Sequence, residues 1–415
     1  MTDLPVTDLP LAPRPVVESS TADLARWKAA DEAARPARLA RLRERLDREG
    51  VDAYLGVSRE NTRYLTGFVL GQGEEKVAGD SGRFLVARDE VIVLADSRYR
   101  EQAEEQCPAA RIAESYYDLP DRWSGLVGSL RGPGGGPVRR VAVEASLVSQ
   151  ALWTRLAAAV PEVELVPAEG WVETLRAIKE PAELERVSAA CAVADAALER
   201  LLPALRPGVR EREAALQLEW EMRTHGAEAV AFDVACLAGP RAALPHGSPG
   251  DRPIAPGEVL LFDFGAQVDG YRSDMTRTLF VGEPVERDLG LYRLVAEAQE
   301  AAFQMLSVAT GTGSSPSGPA VDAAARAVIE RAGHDPHFGH GLGHGIGLAT
   351  HELPAVTRRA SAAPLVSPTV FSVEPGVYLP GQTGVRIEDL VAYDPASGPP
   401  RRLTGFPREV TVVGT

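Results

Sequence analysis

Apolar residues recur along the chain with two periods, and the change of period divides it. In PARLARLRERLDREG, Leu39, Leu42 and Leu46 fall on one helical face. The next segment, VDAYLGV, alternates Val51, Ala53, Leu55 and Val57 as a half-buried strand does. VIVLAD at 91–96 is another strand candidate, followed by a charged helical stretch, SRYREQAEEQ. GPGGGP at 132–137 is a loop, VRRVAVE a strand and SQALWTRLAAAV a helix. This alternation, which runs to about residue 166, predicts an α/β domain over residues 31–167 and a linker over 168–180.

Past the linker the helices lengthen. EPAELERVSAACAVADAALERLL sets Pro181 at a first helical position. Leu184, Val187, Cys191, Ala194, Leu198 and Leu201 then recur at steps of three and four. Helices are predicted at about 181–203, 209–225, 288–309 and 319–333, with strand-rich segments between them. Helices followed by strands, twice over, predict an α+β domain at 181–415 built on an antiparallel sheet. An internal duplication fits this order, although the two halves share only a faint sequence repeat.

Composition narrows the partners. A net charge of −14 over 415 residues argues against nucleic acid or an anionic membrane. Cys107, Cys191 and Cys236 are odd in number, far apart and without metal-finger spacing, which points to a reducing cytoplasm. No apolar run approaches the ~20 residues of a membrane helix. The opening MTDLPVTDLPLAPRPVVESS is acidic and Pro-rich, and reads as part of a flexible leader (residues 1–30) rather than a signal peptide.

The candidate chemistry starts at FGHGLGHGIGLATHELP, which crowds His340, His344 and His351 into residues 338–354. His351-Glu352 begins the H-E-x-x-H pattern of zinc proteases, but residue 355 is Ala355 and Pro354 would sit inside the helix. Five glycines between 339 and 347 also make a helix costly, at roughly 1 kcal/mol each relative to alanine. An extended segment passing close to other backbone is expected instead. His225, His334 and His337 read as ordinary surface or core residues.

Carboxylates appear in EVLLFDFGAQVDGYRSDMTRTLFVG, where Asp263 interrupts an apolar strand. A carboxylate there is expensive unless paired or metal-bound. Asp269-Gly270 is a two-residue hairpin signal. With that turn, Val268 faces Tyr271, Asp263 faces Thr276, and Asp274 lies diagonal to Asp263 on the same face. In VFSVEPGVYLPGQTGVRIEDLVAY, Glu374 lies in one strand segment, and Arg386 and Glu388 share a face of the next. Four carboxylates would offset two divalent cations. Oxygen-rich ligation with one imidazole suits Mn²⁺ and tolerates Co²⁺, Fe²⁺ or Zn²⁺.

Together, LPHGSP with His246, DFGAQVDGYRSDMTRT, HGLGHGIGLATHELP, VEPGVY and VRIED resemble the pita-bread metallopeptidases, and within them the Xaa-Pro peptidases, aminopeptidase P and prolidase. The resemblance extends over about residues 36–411, and ENTRYLTGF and ADSRYREQA are similar to the family's N-terminal α/β domain. That domain argues against methionine aminopeptidase, which usually lacks it. The fold implied is a creatinase/prolidase-like N-terminal domain followed by a pita-bread catalytic domain with a curved antiparallel sheet.

The resemblance also implies roles. Asp263 would ligate one of two divalent ions, Asp274 and Glu388 would bridge them, and His344 and Glu374 would complete the other's shell. A hydroxide held there would attack the scissile carbonyl, with Glu374 guiding a proton. His246 and His351 would stabilise the tetrahedral intermediate and orient the substrate, with His340 nearby, and Arg386 would hold the acidic ligands in place. The activity implied is release of an N-terminal residue from a following proline by an Xaa-Pro aminopeptidase, with an Xaa-Pro dipeptidase as the alternative. A metal-free creatinase-like hydrolase and a non-catalytic peptide-binding relative are opposed by the complete ligand set. Proline-containing peptides are the expected substrates, and a cytoplasmic homodimer the expected form. A bond before proline is a tertiary amide without an N–H, so a pocket for the ring is needed.

Overall fold

The computed structural model describes residues 19–71 and 79–414. Residues 1–18 of the expected leader lie outside the described residues. Residues 21–30 differ from the expectation of a flexible segment, because they form the first turns of helix α1 (Thr21–Glu49). The reason is local. The Asp23 carboxylate accepts from the Ser20 N–H, and the Ser20 hydroxyl accepts from the Asp23 N–H. This reciprocal cap starts a run rich in alanine, leucine and arginine, all good helix formers. The Pro-rich composition just upstream conceals that start.

Two compact units divide the chain, one spanning Ala25–Arg176 and the other beginning at Ala177. In the first, β1 (Ala53–Gly56), α2 (Arg59–Thr66), β2 (Phe84–Ala87), β3 (Val91–Leu94), α3 (Arg100–Gln106), β4 (Arg111–Ala113), α4 (Leu119–Ser129), β5 (Arg140–Glu144), α5 (Gln150–Ala159), β6 (Glu164–Ala168) and α6 (Glu173–Arg176) follow α1. The six strands form one mixed sheet in the order β4-β3-β2-β1-β5-β6. Leu55, Leu85, Ile92 and Val143 pack there with Trp123 of α4 and Leu156 of α5. Helix α2 is set by two caps: Ser58 accepts from the Asn61 N–H, and Gly67 ends it with a left-handed φ of 86°. Buried Glu144 ties β5 to that helix start by accepting from the N–H groups of Val57 (2.6 Å) and Ser58 (2.7 Å).

The second unit opens with α7 (Pro181–Leu201) and α8 (Glu211–Thr224). Strands β7 (Ala229–Val230), β8 (Ala235–Ala238), β9 (Val259–Phe264), β10 (Ala266–Val268), β11 (Tyr271–Arg272) and β12 (Met275–Val281) follow. A second helix pair, α9 (Glu286–Gly311) and α10 (Gly318–Arg331), leads to β13 (Gly343–Gly345), β14 (Glu352–Val356), β15 (Thr369–Val373), β16 (Gly376–Leu379), β17 (Thr383–Arg386), β18 (Asp389–Tyr393), β19 (Arg401–Arg402) and β20 (Val412–Val413). Two helices then antiparallel strands, repeated, is the order expected from the sequence. The strands are divided among four ladders, ordered β11-β10-β7, β20-β12-β9-β8, β14-β13-β15-β18-β19 and β16-β17. All pairings are antiparallel except β12 with β20. Val295, Phe303, Val321 and Ile329 of α9 and α10 pack on Phe280, Phe371 and Val391 of the sheets.

The hairpin register follows the reading of Asp269-Gly270. Val268 pairs with Tyr271, and Asp263 with Thr276. Asp269 and Gly270 both have positive φ, 42° and 75°, as a type I′ turn requires. The glycine-rich segment is extended at β13, where a Cβ on Gly343 would lie 1.9 Å from the Ser372 carbonyl oxygen. Only glycine allows that approach. Gly270→Val should lower stability by about 1–2 kcal/mol through its left-handed φ, read as a lower urea midpoint. An unchanged midpoint would mean that the turn relaxes to another type.

Candidate metal centre

Each half of the second unit delivers acids to one cavity of about 870 Å³. From the first half come Asp263, in β9, and Asp274, just before β12. From the second come His344, in β13, Glu374, just after β15, and Glu388, just before β18. His246, His340, His351 and Arg386 line the same cavity. All nine residues singled out in the sequence therefore meet at one place. Asp274, His344 and Glu388 each offer a ligand atom within 4.8 Å of the others.

Three observations fit this set to divalent cations. The first is the state of His344. Its Nδ1 lies 3.0 Å from the Gly345 carbonyl oxygen, which can only accept, so Nδ1 carries the proton. The lone pair of Nε2 then faces Glu374 Oε1 at 3.4 Å and Asp274 Oδ2 at 3.7 Å. Lone pair against carboxylate is repulsive unless a cation intervenes. Second, Asp274 Oδ1 and Glu388 Oε1 are buried without a hydrogen-bond partner, a costly state that metal bonds would relieve. Third, burial pushes the carboxyls of Asp274, Glu374 and Glu388 above the usual range, and their negative neighbours push further. Burial also lowers His344 and His351, which favours the neutral imidazole in each.

Arg386 organises the acidic wall. Its Nε donates to Thr276 Oγ1 (2.8 Å), one terminal nitrogen to Tyr378 OH (2.8 Å) and the other to Asp263 Oδ2 (2.5 Å). Thr276 in turn donates to Glu388 Oε2 at 2.7 Å, so one guanidinium fixes Asp263 directly and Glu388 through Thr276. Ser372 donates to Glu374 Oε1 at 2.9 Å. His340 points elsewhere. Its Nδ1 donates to the Gly341 carbonyl (2.7 Å), and its Nε2 accepts from Tyr378 OH (2.9 Å). His351 lies against His344, with ring centroids 4.2 Å apart.

Several supporting residues escaped the sequence reading. Thr276 was legible as the partner of Asp263, but not as a donor to Glu388. Tyr378 lies inside VEPGVY, yet nothing local tells that it joins His340 to Arg386. Glu352, next to His351, accepts from the Ala349 N–H and from Lys179 Nζ, both at 2.8 Å. The pair is almost wholly buried and comes from positions 173 residues apart, so it braces the turn carrying His351. Asp322 and Arg326 of α10 hold the glycine-rich segment, accepting from the Leu342 N–H and donating to the carbonyls of Phe338 and His340.

A mixed-sheet unit followed by a double-helix-and-strand unit with a buried acid cavity is the architecture of a two-domain protein with a candidate metal centre. The model of metallopeptidase family M24 matches residues 185–395, and that of the creatinase/prolidase N-terminal domain matches residues 38–178. The Xaa-Pro dipeptidase of Pyrococcus horikoshii is 30% identical over 88% of this chain and 96% of its own length. Among solved structures, an Xaa-Pro dipeptidase from Bacillus anthracis superposes with a TM-score of 0.81 at 33% identity, covering 91% of this chain and 99% of its own. An X-Pro aminopeptidase from Thermotoga maritima gives 0.78 at 33% identity, covering 90% and 99%. The chain belongs to metallopeptidase family M24, whose members work with divalent metal ions. Among the described residues, no helix is long and apolar enough to cross a membrane.

The raised carboxyls set the behaviour of the metal-free protein. Above the ordinary carboxylate range of about 4, the fold retains protons that the unfolded chain has lost. The stability slope with pH is therefore negative, so chelated protein should lose thermal stability between about pH 5 and about pH 8. Divalent cations favour the charged carboxylates, so adding them should raise the melting temperature more at the higher pH. Equal metal stabilisation at both would argue that these acids are not the ligands.

Proposed function

We propose that this metallopeptidase is an Xaa-Pro dipeptidase that hydrolyses the bond between a first residue and a following proline. The observation that carries the reading is the convergence of Asp263, Asp274, His344, Glu374 and Glu388 in one cavity, in a chain similar to named Xaa-Pro dipeptidases. The sequence reading placed the aminopeptidase first and the dipeptidase second. The similarity to named dipeptidases over nearly their whole length supports reversing that order, while the likeness to the Thermotoga enzyme keeps the aminopeptidase as a second reading.

Asp263, Asp274, His344, Glu374 and Glu388 would hold two divalent ions. Mn²⁺ suits a shell of carboxylates and one imidazole, and Co²⁺, Zn²⁺ or Fe²⁺ would also be accepted. Bound there, the ions supply Lewis acidity and a water of lowered pKa. Glu374, its Oε1 steadied by Ser372, would be the base for the attacking water. His351 and His246 would each offer an N–H to the carbonyl oxygen as it gains charge. Arg386 keeps Asp263 and Glu388 from shifting as charge redistributes. The protein works as a cytoplasmic homodimer, with three buried free cysteines that suit a reducing compartment.

Hydrolysis of an Xaa-Pro dipeptide, an Xaa-Pro-Xaa tripeptide and a longer Xaa-Pro peptide tests this directly, after chelation and after Mn²⁺ is restored. Metal-dependent cleavage confined to the dipeptide is expected. Release of the first residue from the longer peptides would make the enzyme an aminopeptidase, and no cleavage by metal-loaded protein would refute proline specificity.

Two variants separate the roles. Asp274→Ala should abolish turnover and lower the bound metal measured by elemental analysis. His351→Ala should keep its metal yet lose roughly 10²–10³ in kcat, as for removal of one donor to a developing oxyanion. Loss of metal from His351→Ala would give that residue a ligand's role instead.

A further inference from the structure

The cavity contains a second arginine that the metal centre does not use. Arg272 ends β11, next to the hairpin turn and two residues before Asp274. Strand alternation sends its neighbour Tyr271 the other way, where the phenol donates to Glu183 at 3.1 Å. Arg272 is half-buried and lines the cavity. One terminal nitrogen donates to Thr350 Oγ1 at 3.0 Å, and Nε is buried without an acceptor. Among the described residues no carboxylate pairs with it. Arg386, by contrast, is saturated by Asp263, Thr276 and Tyr378.

A guanidinium offers five N–H donors in a planar fork that matches a carboxylate. Burying one with no anion is costly, and a ligand carboxylate would relieve it. The backbone holds it in place, because the Arg272 N–H donates to Gly347 O at 2.9 Å. The Thr350 hydroxyl, having accepted from Arg272, donates onward to the Ala231 carbonyl at 3.4 Å. Span agrees as well. Two residues of extended chain separate Arg272 from Asp274 by roughly 6–7 Å at the backbone, and the carboxylate of an Xaa-Pro dipeptide is three bonds from its scissile carbonyl carbon.

We propose that Arg272 is a specificity-determining residue that binds the free C-terminal carboxylate of the substrate. The proposal rests on the dipeptidase reading, and it gives that reading a physical cause: a longer peptide has an amide where the fork expects an anion.

The test compares Ala-Pro with Ala-prolinamide in the Mn²⁺-loaded parent, Arg272→Gln and Arg272→Lys. The parent should prefer the acid. Arg272→Gln should reduce that preference roughly 10- to 100-fold, mainly through KM for Ala-Pro, as expected for loss of a charge-assisted contact. Arg272→Lys should recover part of it, since it retains the charge but not the fork. Because the preference is a ratio within one protein, partial misfolding cannot imitate the effect. An unchanged ratio, or equal losses on both substrates, would overturn the proposal and leave the dipeptidase reading standing. Calorimetry with L-proline and L-prolinamide covers the remaining case, a parent that cleaves neither substrate. There the dipeptidase reading fails, and L-proline binding lost in Arg272→Gln would still sustain a carboxylate site. Equal binding by both proteins would overturn it.

Discussion

The structure depends on making one cavity tolerable for carboxylates that repel each other. Asp274 and Glu388 are buried, and Glu374 and Asp263 stand beside them. Each is costly out of water, and together they are costlier. One arginine, Arg386, offsets part of this charge, and divalent cations would offset the rest. Groups that raise each other's carboxyl pKa without a cation are those that release protons to one.

Holding such a site needs rigidity behind it, and the fold provides it through buried polar ties more than through local propensity. Arg277 donates to Asp389 at 2.6 Å and to the carbonyl of Glu388, fixing a ligand-bearing segment from behind. Asp322 and Arg326 fix the glycine-rich segment, and Lys179 with Glu352 fixes the turn of His351. Each pair is nearly wholly buried, so breaking one would strand a charge and cost about 3–5 kcal/mol. Their positions beside ligands or catalytic candidates place the most constrained part of the protein where small displacements matter most.

The metal centre and Arg272 divide the chemistry of one cavity. The acids converge as a candidate cation site, while Arg272 presents a guanidinium that no carboxylate pairs with among the described residues, from the same hairpin that carries Asp274. One residue, Ser273, separates a candidate metal ligand from a group suited to choosing the substrate. Such spacing lets specificity change without disturbing the ligands.

Much of this was legible in the chain. Asp269-Gly270 set the hairpin, and counting outward from it placed Asp263 opposite Thr276, because side chains alternate strictly and the turn admits one register. The glycines at 339–347 excluded a helix for the same kind of local reason. Periodicity found the four long helices of the second unit, but missed α2, β2 and α4, which are short or carry weak patterns, and the capped start of α1. The pairing of Lys179 with Glu352, the link from Tyr378 to Arg386, and the reach of Arg326 to two carbonyls were beyond it. These contacts join residues far apart in sequence, and no local pattern encodes a partner across that distance. Sequence alone determined which groups are candidates for the chemistry and the register of the hairpin that carries Asp263, through backbone rules that act over a few residues. Tertiary structure decided which buried atoms stay unpaired, as Asp274 Oδ1, Glu388 Oε1 and Arg272 Nε do, because satisfaction depends on every element packed around an atom.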